Sequence, residues 1–158
     1  MTDQQKQFMK QAIGLAKSGM ESGNGGPFGC VIVKDDQVIG SGSNMVTTTN
    51  DPTAHAEVVA IRDACKNLNH FQLEGCEVYT SCEPCPMCLG AIFWARPSRV
   101  FYACTHEDAS AAGFDDSFIY REIQVAPETR QIPMEGMMRE ESQKVFELWK
   151  SKADKILY

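Results

Sequence analysis

The residues best suited to chemistry in this chain are His55-Ala56-Glu57 and, further along, Pro84-Cys85-Pro86-Met87-Cys88. One imidazole, two thiols and a nearby carboxylate are the parts of an open zinc site, in which three protein ligands hold the metal and a fourth position is left for water. Zinc in such a site lowers the pKa of its water to about 7, so a hydroxide nucleophile is available at neutral pH. A fourth protein ligand is not needed, and Glu57 is better suited to carry protons between water and a leaving group. Cys85 and Cys88 alone would equally suit a structural zinc knuckle or a redox pair. The addition of His55 and Glu57 turns the reading toward hydrolysis.

Several elements must bring these residues together. Met9, Ala12, Ile13, Ala16 and Met20 recur every three or four residues and predict an opening helix. The run Ser22-Gly23-Asn24-Gly25-Gly26-Pro27 breaks it. Residues 28–34 and 37–43 read as two strands joined across Asp35-Asp36, a hairpin. Asp51-Pro52-Thr53 opens a second helix that runs to about residue 68, with Thr53 as its cap. A third strand is expected over 76–81, a third helix over 85–94, a fourth strand over 99–103, a short fifth near 120–125 and a last helix over 142–157. Strand–helix alternation after the hairpin predicts an α/β fold with helices on both faces of the sheet. The expected architecture is a three-layer α/β/α sandwich with a central mixed five-stranded sheet.

This reading puts His55 in the first turn of the second helix, and Cys85 and Cys88 in the first turns of the third. Helix amino termini carry partial positive charge, which suits metal-bound thiolates. On a regular helix, residues i and i+2 lie roughly 200° apart. A helix through both His55 and Glu57 therefore gives no reason for Glu57 to face the metal.

A chain of 158 residues fits a single domain, 1–158, with its own core. Its 43% hydrophobic and 23% charged residues are ordinary for a soluble globular protein. The polar stretch 1–11 carries no apolar leader, and no apolar run is long enough for a bilayer. Seven cysteines, an odd number, favour reduced thiols and a metal over a disulfide framework. The expectation is a cytoplasmic protein that does not enter a membrane. The net charge of −6, from 21 acidic and 15 basic residues, argues against a nucleic-acid partner and for a free small molecule.

The pairing of H-x-E with P-C-x-x-C is the general signature of zinc-dependent base deaminases, and the chain resembles the cytidine deaminase superfamily. The likeness extends to the bacterial guanine deaminase branch through Gly25-Gly26-Pro27-Phe28-Gly29, the run from Thr47 to Glu57, the run from Thr80 to Ala91, and Gly113-Phe114-Asp115-Asp116-Ser117-Phe118-Ile119-Tyr120. The resemblance implies that His55, Cys85 and Cys88 bind zinc and that Glu57 shuttles protons. It implies that Asn44 hydrogen-bonds a purine base through an amide that donates and accepts. Phe28 would stack on the base, and Asp116 would accept from its N–H edge. The reaction implied is the conversion of guanine to xanthine and ammonia. A homodimer with exchanged carboxy-terminal segments is implied too, Tyr158 closing the partner's pocket, although Ile156-Leu157 differs from the charged pair that precedes the tyrosine in that family.

On the superfamily pattern Cys82 is a small buried residue at a strand end, not a third ligand. Cys30, Cys65, Cys76 and Cys104 read as fillers, and His70 and His106 as loop or surface histidines. Other readings are the same chemistry on guanosine, cytosine, a related heterocycle or tRNA adenosine, and a non-enzymatic binding module stabilised by zinc.

Overall fold

Helix α1 (Asp3–Glu21) starts on a capping box: the Thr2 hydroxyl accepts the Gln5 N–H, and the Gln5 side chain accepts the Thr2 N–H. It buries Phe8, Ala12, Ala16 and Gly19, a stripe at helical spacing. Strands β1 (Gly29–Lys34) and β2 (Gln37–Ser43) then form the expected hairpin. Its turn residues Asp35 and Asp36 have φ of 48° and 61°, the left-handed conformation that a tight two-residue hairpin turn demands.

The computed structural model describes residues 1–158 as two compact units, Met1–Asp116 and Ser117–Tyr158. In the first unit β1 lies between β2 and β3 (Glu77–Cys82), antiparallel to both, and β3 pairs in parallel with β4 (Arg99–Cys104). The order is β2-β1-β3-β4. Alternation along β1 and β3 sorts the core into two faces. Cys30, Ile32 and Val78 pack with Ala56, Ala60 and Ala64 of α3 (Ala56–Leu68) and with Ala95 of α4 (Pro86–Ala95). Val31, Val33 and Tyr79 pack with Phe8 and Ala12 of α1. Helices therefore cover both faces of a mixed sheet, as the alternation of elements predicts. Helix α3 lies close on β2 because Gly42 offers no side chain, and a Cβ there would meet the Ala56 carbonyl at 2.5 Å.

The sheet has four strands, not five. The stretch expected as a fifth strand belongs to helix α6 (Ser117–Gln124). Ile119 and Ile123 stand four apart, and Arg121 Nη1 donates to Ser117 Oγ at 3.0 Å, an i, i+4 bond of the kind that supports a helix. Asp115 and Asp116 just before it match the preference of helix starts for acidic residues. The β-branched and aromatic content of 120–125 suggested a strand, and the helical spacing prevails over it.

Other boundaries also shift. Short helices α2 (Val46–Thr49) and α5 (His106–Ala111) were not expected. Helix α3 begins at Ala56 with His55, not Thr53, as its cap. The second unit continues after α6 with a 3₁₀ turn (Pro127–Thr129) and helix α7 (Arg139–Ser151). Helix α7 ends before the expected residue 157 because Lys155 folds back, its ammonium donating to the carbonyls of Lys150 at 2.8 Å and Lys152 at 3.2 Å. No helix is long and apolar enough to cross a membrane.

Candidate active site

The turn before α3 decides where His55 points. Asp51 Oδ1 accepts from the Thr53 N–H at 2.8 Å and from its hydroxyl at 2.6 Å, an Asx turn that carries the chain toward His55. His55 is the N-cap residue, extended at φ −70° and ψ 154°, and its carbonyl accepts the first helical bond from Val59 at 3.0 Å. The 200° separation of helical neighbours therefore does not apply to it. His55 projects from an extended link and Glu57 from the first turn, so both reach one side. Cys85 repeats the arrangement as the extended N-cap of α4, with Pro86 next and Cys88 in the first turn.

His55 Nδ1 lies 3.6 Å from Cys85 Sγ and 3.5 Å from Cys88 Sγ. The three donor atoms lie within 4.8 Å of one another. Zinc–nitrogen and zinc–sulfur bonds of about 2.05 and 2.3 Å at the tetrahedral angle set a nitrogen–sulfur separation of about 3.6 Å. The three residues thus fit a zinc ion bound through Nδ1. The Cys88 thiol donates to Cys85, which together with His55 pulls Cys85 down to about 4, and the same bond pushes Cys88 up. Cys85 carries the negative charge of the pair, and it raises His55 above its ordinary value.

Glu57 is 5% exposed. Burial raises its carboxyl above the usual range, against the hydrogen bonds of Thr80 and Cys88. The Thr80 hydroxyl donates to Glu57 Oε1 at 3.0 Å. Thr80 shares the α3 face of β3 with Val78, two residues away, so strand alternation aims it at α3. Sequence reading missed Thr80, and its only signal is that alternation once the packing of α3 is known.

Asn44 is buried at the end of β2. Its Oδ1 accepts from the N–H groups of Gly26 at 3.3 Å and Val46 at 3.2 Å. The carbonyl end of the amide is thus committed to backbone, and the NH₂ end is what it can offer a ligand. Gly25 makes the approach possible, since a Cβ there would lie 2.1 Å from that oxygen. Phe28 is half-buried and meets the Phe114 ring edge-on, with centroids 5.0 Å apart. Phe114 is a second aromatic wall that sequence reading did not single out. Burial raises the Asp116 carboxyl, the Cys85 charge adds to this, and His106 opposes it.

Tyr158 ends the second unit and is 69% exposed in the single chain. Cys82 is buried and donates to the Thr105 carbonyl at 3.4 Å, outside the ligand cluster. His106 is not an isolated surface residue, because its Nδ1 lies 3.0 Å from Glu83 Oε2. Two surface clefts, one along β2 and α3 and one beside Thr2, Asp35 and Glu77, include none of the candidate residues.

Known proteins share this arrangement. Residues 2–104 match the cytidine and deoxycytidylate deaminase zinc-binding region. The chain is 58% identical over 151 residues to guanine deaminase of Bacillus subtilis, covering 96% of this chain and 97% of that one. A crystal structure of guanine deaminase from the same organism superposes with a TM-score of 0.95 at 56% identity, over 100% of this chain and 99% of that one. A tRNA-specific adenosine deaminase of Aquifex aeolicus is 44% identical over 96 residues, 61% of this chain and 63% of that one. The zinc-binding match, residues 2–104, takes in His55, Cys85 and Cys88, and the chain belongs to the cytidine and deoxycytidylate deaminase zinc-binding family.

Proposed function

We propose that this protein is a zinc-dependent guanine deaminase that hydrolyses free guanine to xanthine and ammonia. The observation that carries this reading is the likeness to guanine deaminase of Bacillus subtilis over nearly the whole chain, which extends past residue 104 where the zinc-binding match ends. The likeness to the tRNA-specific enzyme covers 61% of the chain.

His55, Cys85 and Cys88 hold the zinc ion, which supplies Lewis-acid activation of a water molecule when bound. Glu57 takes one proton from water and gives it to a ring nitrogen, then takes the second from the hydroxyl added at C2 and gives it to the amine, which leaves as ammonia while the C2 carbonyl forms. A buried carboxyl with a raised pKa suits a group that must both accept and donate near neutral pH. Thr80 fixes one carboxyl oxygen and leaves the other to face the reacting atoms.

Asn44 donates through its NH₂ group to an acceptor on the purine, its carbonyl being held by backbone. Phe28, backed by Phe114, packs on the flat face of the base. Asp116 accepts from the N–H edge. A base with the wrong edge leaves these groups unpaired, and hydrogen-bonded sites of this kind discriminate by about 10⁴-fold.

The reading includes one functional domain of residues 1–158 that works as a homodimer in purine catabolism, with exchanged carboxy-terminal segments and Tyr158 closing the partner's pocket. The exposed apolar stripe of α7, Val145, Leu148 and Trp149, supports a partner for the second unit. Thiol ligands that must stay reduced to hold metal support a cytoplasmic setting. The acidic balance supports a free base over a nucleic acid.

The test is ultraviolet-monitored turnover by zinc-replete protein, with guanine, guanosine, adenine and cytosine assayed in parallel. Selective conversion of guanine to xanthine is expected. Turnover of another amine with none of guanine overturns the substrate.

A further inference from the structure

We propose that Glu83 and His106 act as a positioning pair that fixes the Phe114–Asp116 segment against the metal-binding loop, and so sets the affinity for the purine base. The proposal rests on the guanine reading for its substrate. Glu83 stands two residues before Cys85. One of its carboxylate oxygens, Oε2, accepts both the His106 backbone N–H at 3.2 Å and the ring Nδ1 at 3.0 Å. Three contacts then join the loop to the start of α5: these two form one clamp, the Glu83 N–H donates to the Cys104 carbonyl at 2.8 Å, and the Cys82 thiol donates to the Thr105 carbonyl at 3.4 Å.

From that anchor the path to the base-recognising residues is short and stiff. Thr105 and Asp108 close a capping box, with the Thr105 N–H donating to Asp108 Oδ2 at 2.8 Å. At the other end of α5 the Phe114 N–H returns to the Ala109 carbonyl at 2.9 Å, and the Gly113 N–H to Ser110 at 3.0 Å. Phe114 then meets Phe28, and Asp116 stands within electrostatic reach of both His106 and Cys85. Helix α5 thus works as a strut with one end tied to Cys82 and Glu83, just before Cys85, and the other leading to Phe114 and Asp116.

Stability alone gives the pair little purpose. The His106 side chain is 49% exposed and that of Glu83 32%, and ion pairs in that setting contribute about 0–1 kcal/mol. The pair's leverage is geometric, because the contacts through α5 set where Phe114 and Asp116 stand relative to the base. Neither residue touches the reacting atoms, so both are positioning residues.

The experiment compares zinc-replete wild type with His106→Ala, His106→Asn and Glu83→Gln. It measures KM and kcat for guanine, the Kd of xanthine by calorimetry, bound zinc and Tm. His106→Ala is expected to raise KM and the xanthine Kd about tenfold with kcat within about threefold, keeping full zinc occupancy. His106→Asn, whose amide nitrogen stands where Nδ1 stood, should restore most of the affinity. Unchanged KM and Kd in His106→Ala overturn the proposal, as does a fall in kcat alone or a loss of zinc. A wild type that does not convert guanine defeats the substrate reading before any variant is made, whereas an active wild type with an unaffected His106→Ala defeats the pair alone.

Discussion

The two units differ in where their apolar residues go. In Met1–Asp116 the sheet is covered on both faces, and residues such as Ile32, Leu73 and Val78 are fully buried. In Ser117–Tyr158 no residue is buried in the single chain, and Val145, Phe146 and Leu148 of α7 are 65%, 65% and 70% exposed. Short helices draw most of their stability from tertiary packing of an apolar face. The first unit supplies that packing from its own sequence. The second displays an apolar stripe that the single chain leaves exposed. The zinc ligands, Glu57 and the residues assigned to base recognition, other than Tyr158, all belong to the self-sufficient unit.

The largest effect expected in the first unit comes from one carboxyl. Glu57→Gln should lower kcat by about 10²–10⁴-fold, the usual contribution of a positioned acid–base group, while bound zinc and Tm stay near those of wild type. Full activity in that variant would remove Glu57 from the mechanism. Chelation should also abolish turnover yet leave a cooperative thermal melt, since the first unit has a complete core without the metal. Unfolding on chelation is the behaviour of a module whose metal is structural, and it would break the distinction drawn between site and core.

A matched pair of truncations sharpens the contrast between the units. Leu73 is fully buried and Leu148 is 70% exposed. Leu73→Ala should cost about 2–5 kcal/mol, measured by denaturant unfolding and independent of protein concentration. Leu148→Ala should instead weaken self-association, so that its Tm deficit grows as the protein is diluted and sedimentation shifts toward monomer. A concentration-independent Leu148→Ala would show that the second unit needs no partner.

Legibility in the sequence follows the same division. The hairpin could be read from Asp35-Asp36 between two strand-like runs, and α1 from its three-and-four spacing, although Ile13 and Met20 of that spacing stay exposed and Phe8 is buried with Ala12 and Ala16. The zinc ligands were legible because their residue types have few other uses at that spacing. Why Glu57 and His55 reach one side was not legible, since it depends on His55 being an extended cap, which follows the Asx turn at Asp51. Thr80 was hidden because a threonine on a strand has no chemical signature until the facing helix is known. Residues 120–125 misled because Tyr120, Ile123 and Val125 have strand propensity, which the i, i+4 spacing of a short helix overrides. The bond between Asn44 and backbone was equally out of reach, as it arises from the close approach of Gly25.

A smaller effect within the site tests the support of Glu57. Thr80→Val keeps the shape and removes the hydroxyl that holds Oε1. A hydrogen bond to a charged group contributes about 1.5–3 kcal/mol, so a loss of about tenfold or more in kcat is expected, well short of Glu57→Gln. Loss of zinc in place of kcat would move Thr80 from the proton carrier to the metal site.

The smallest effect concerns the turn that presents His55. The Thr53 hydroxyl and backbone N–H lower the Asp51 carboxyl below its ordinary value, with a further contribution from Arg62 at 3.7 Å. A carboxyl depressed in the folded state contributes its stability above the unfolded pKa, about 4, and loses it as pH falls through the lower folded value. Asp51→Asn keeps an oxygen acceptor for the turn but does not titrate. Wild type should therefore melt slightly higher than Asp51→Asn at pH 7, and the two melting temperatures should converge as pH drops below about 4. Because both proteins share every other carboxylate, the difference isolates this one. A gap that persists at low pH would mean that Asp51 acts through shape alone, and the turn before His55 would then owe nothing to charge.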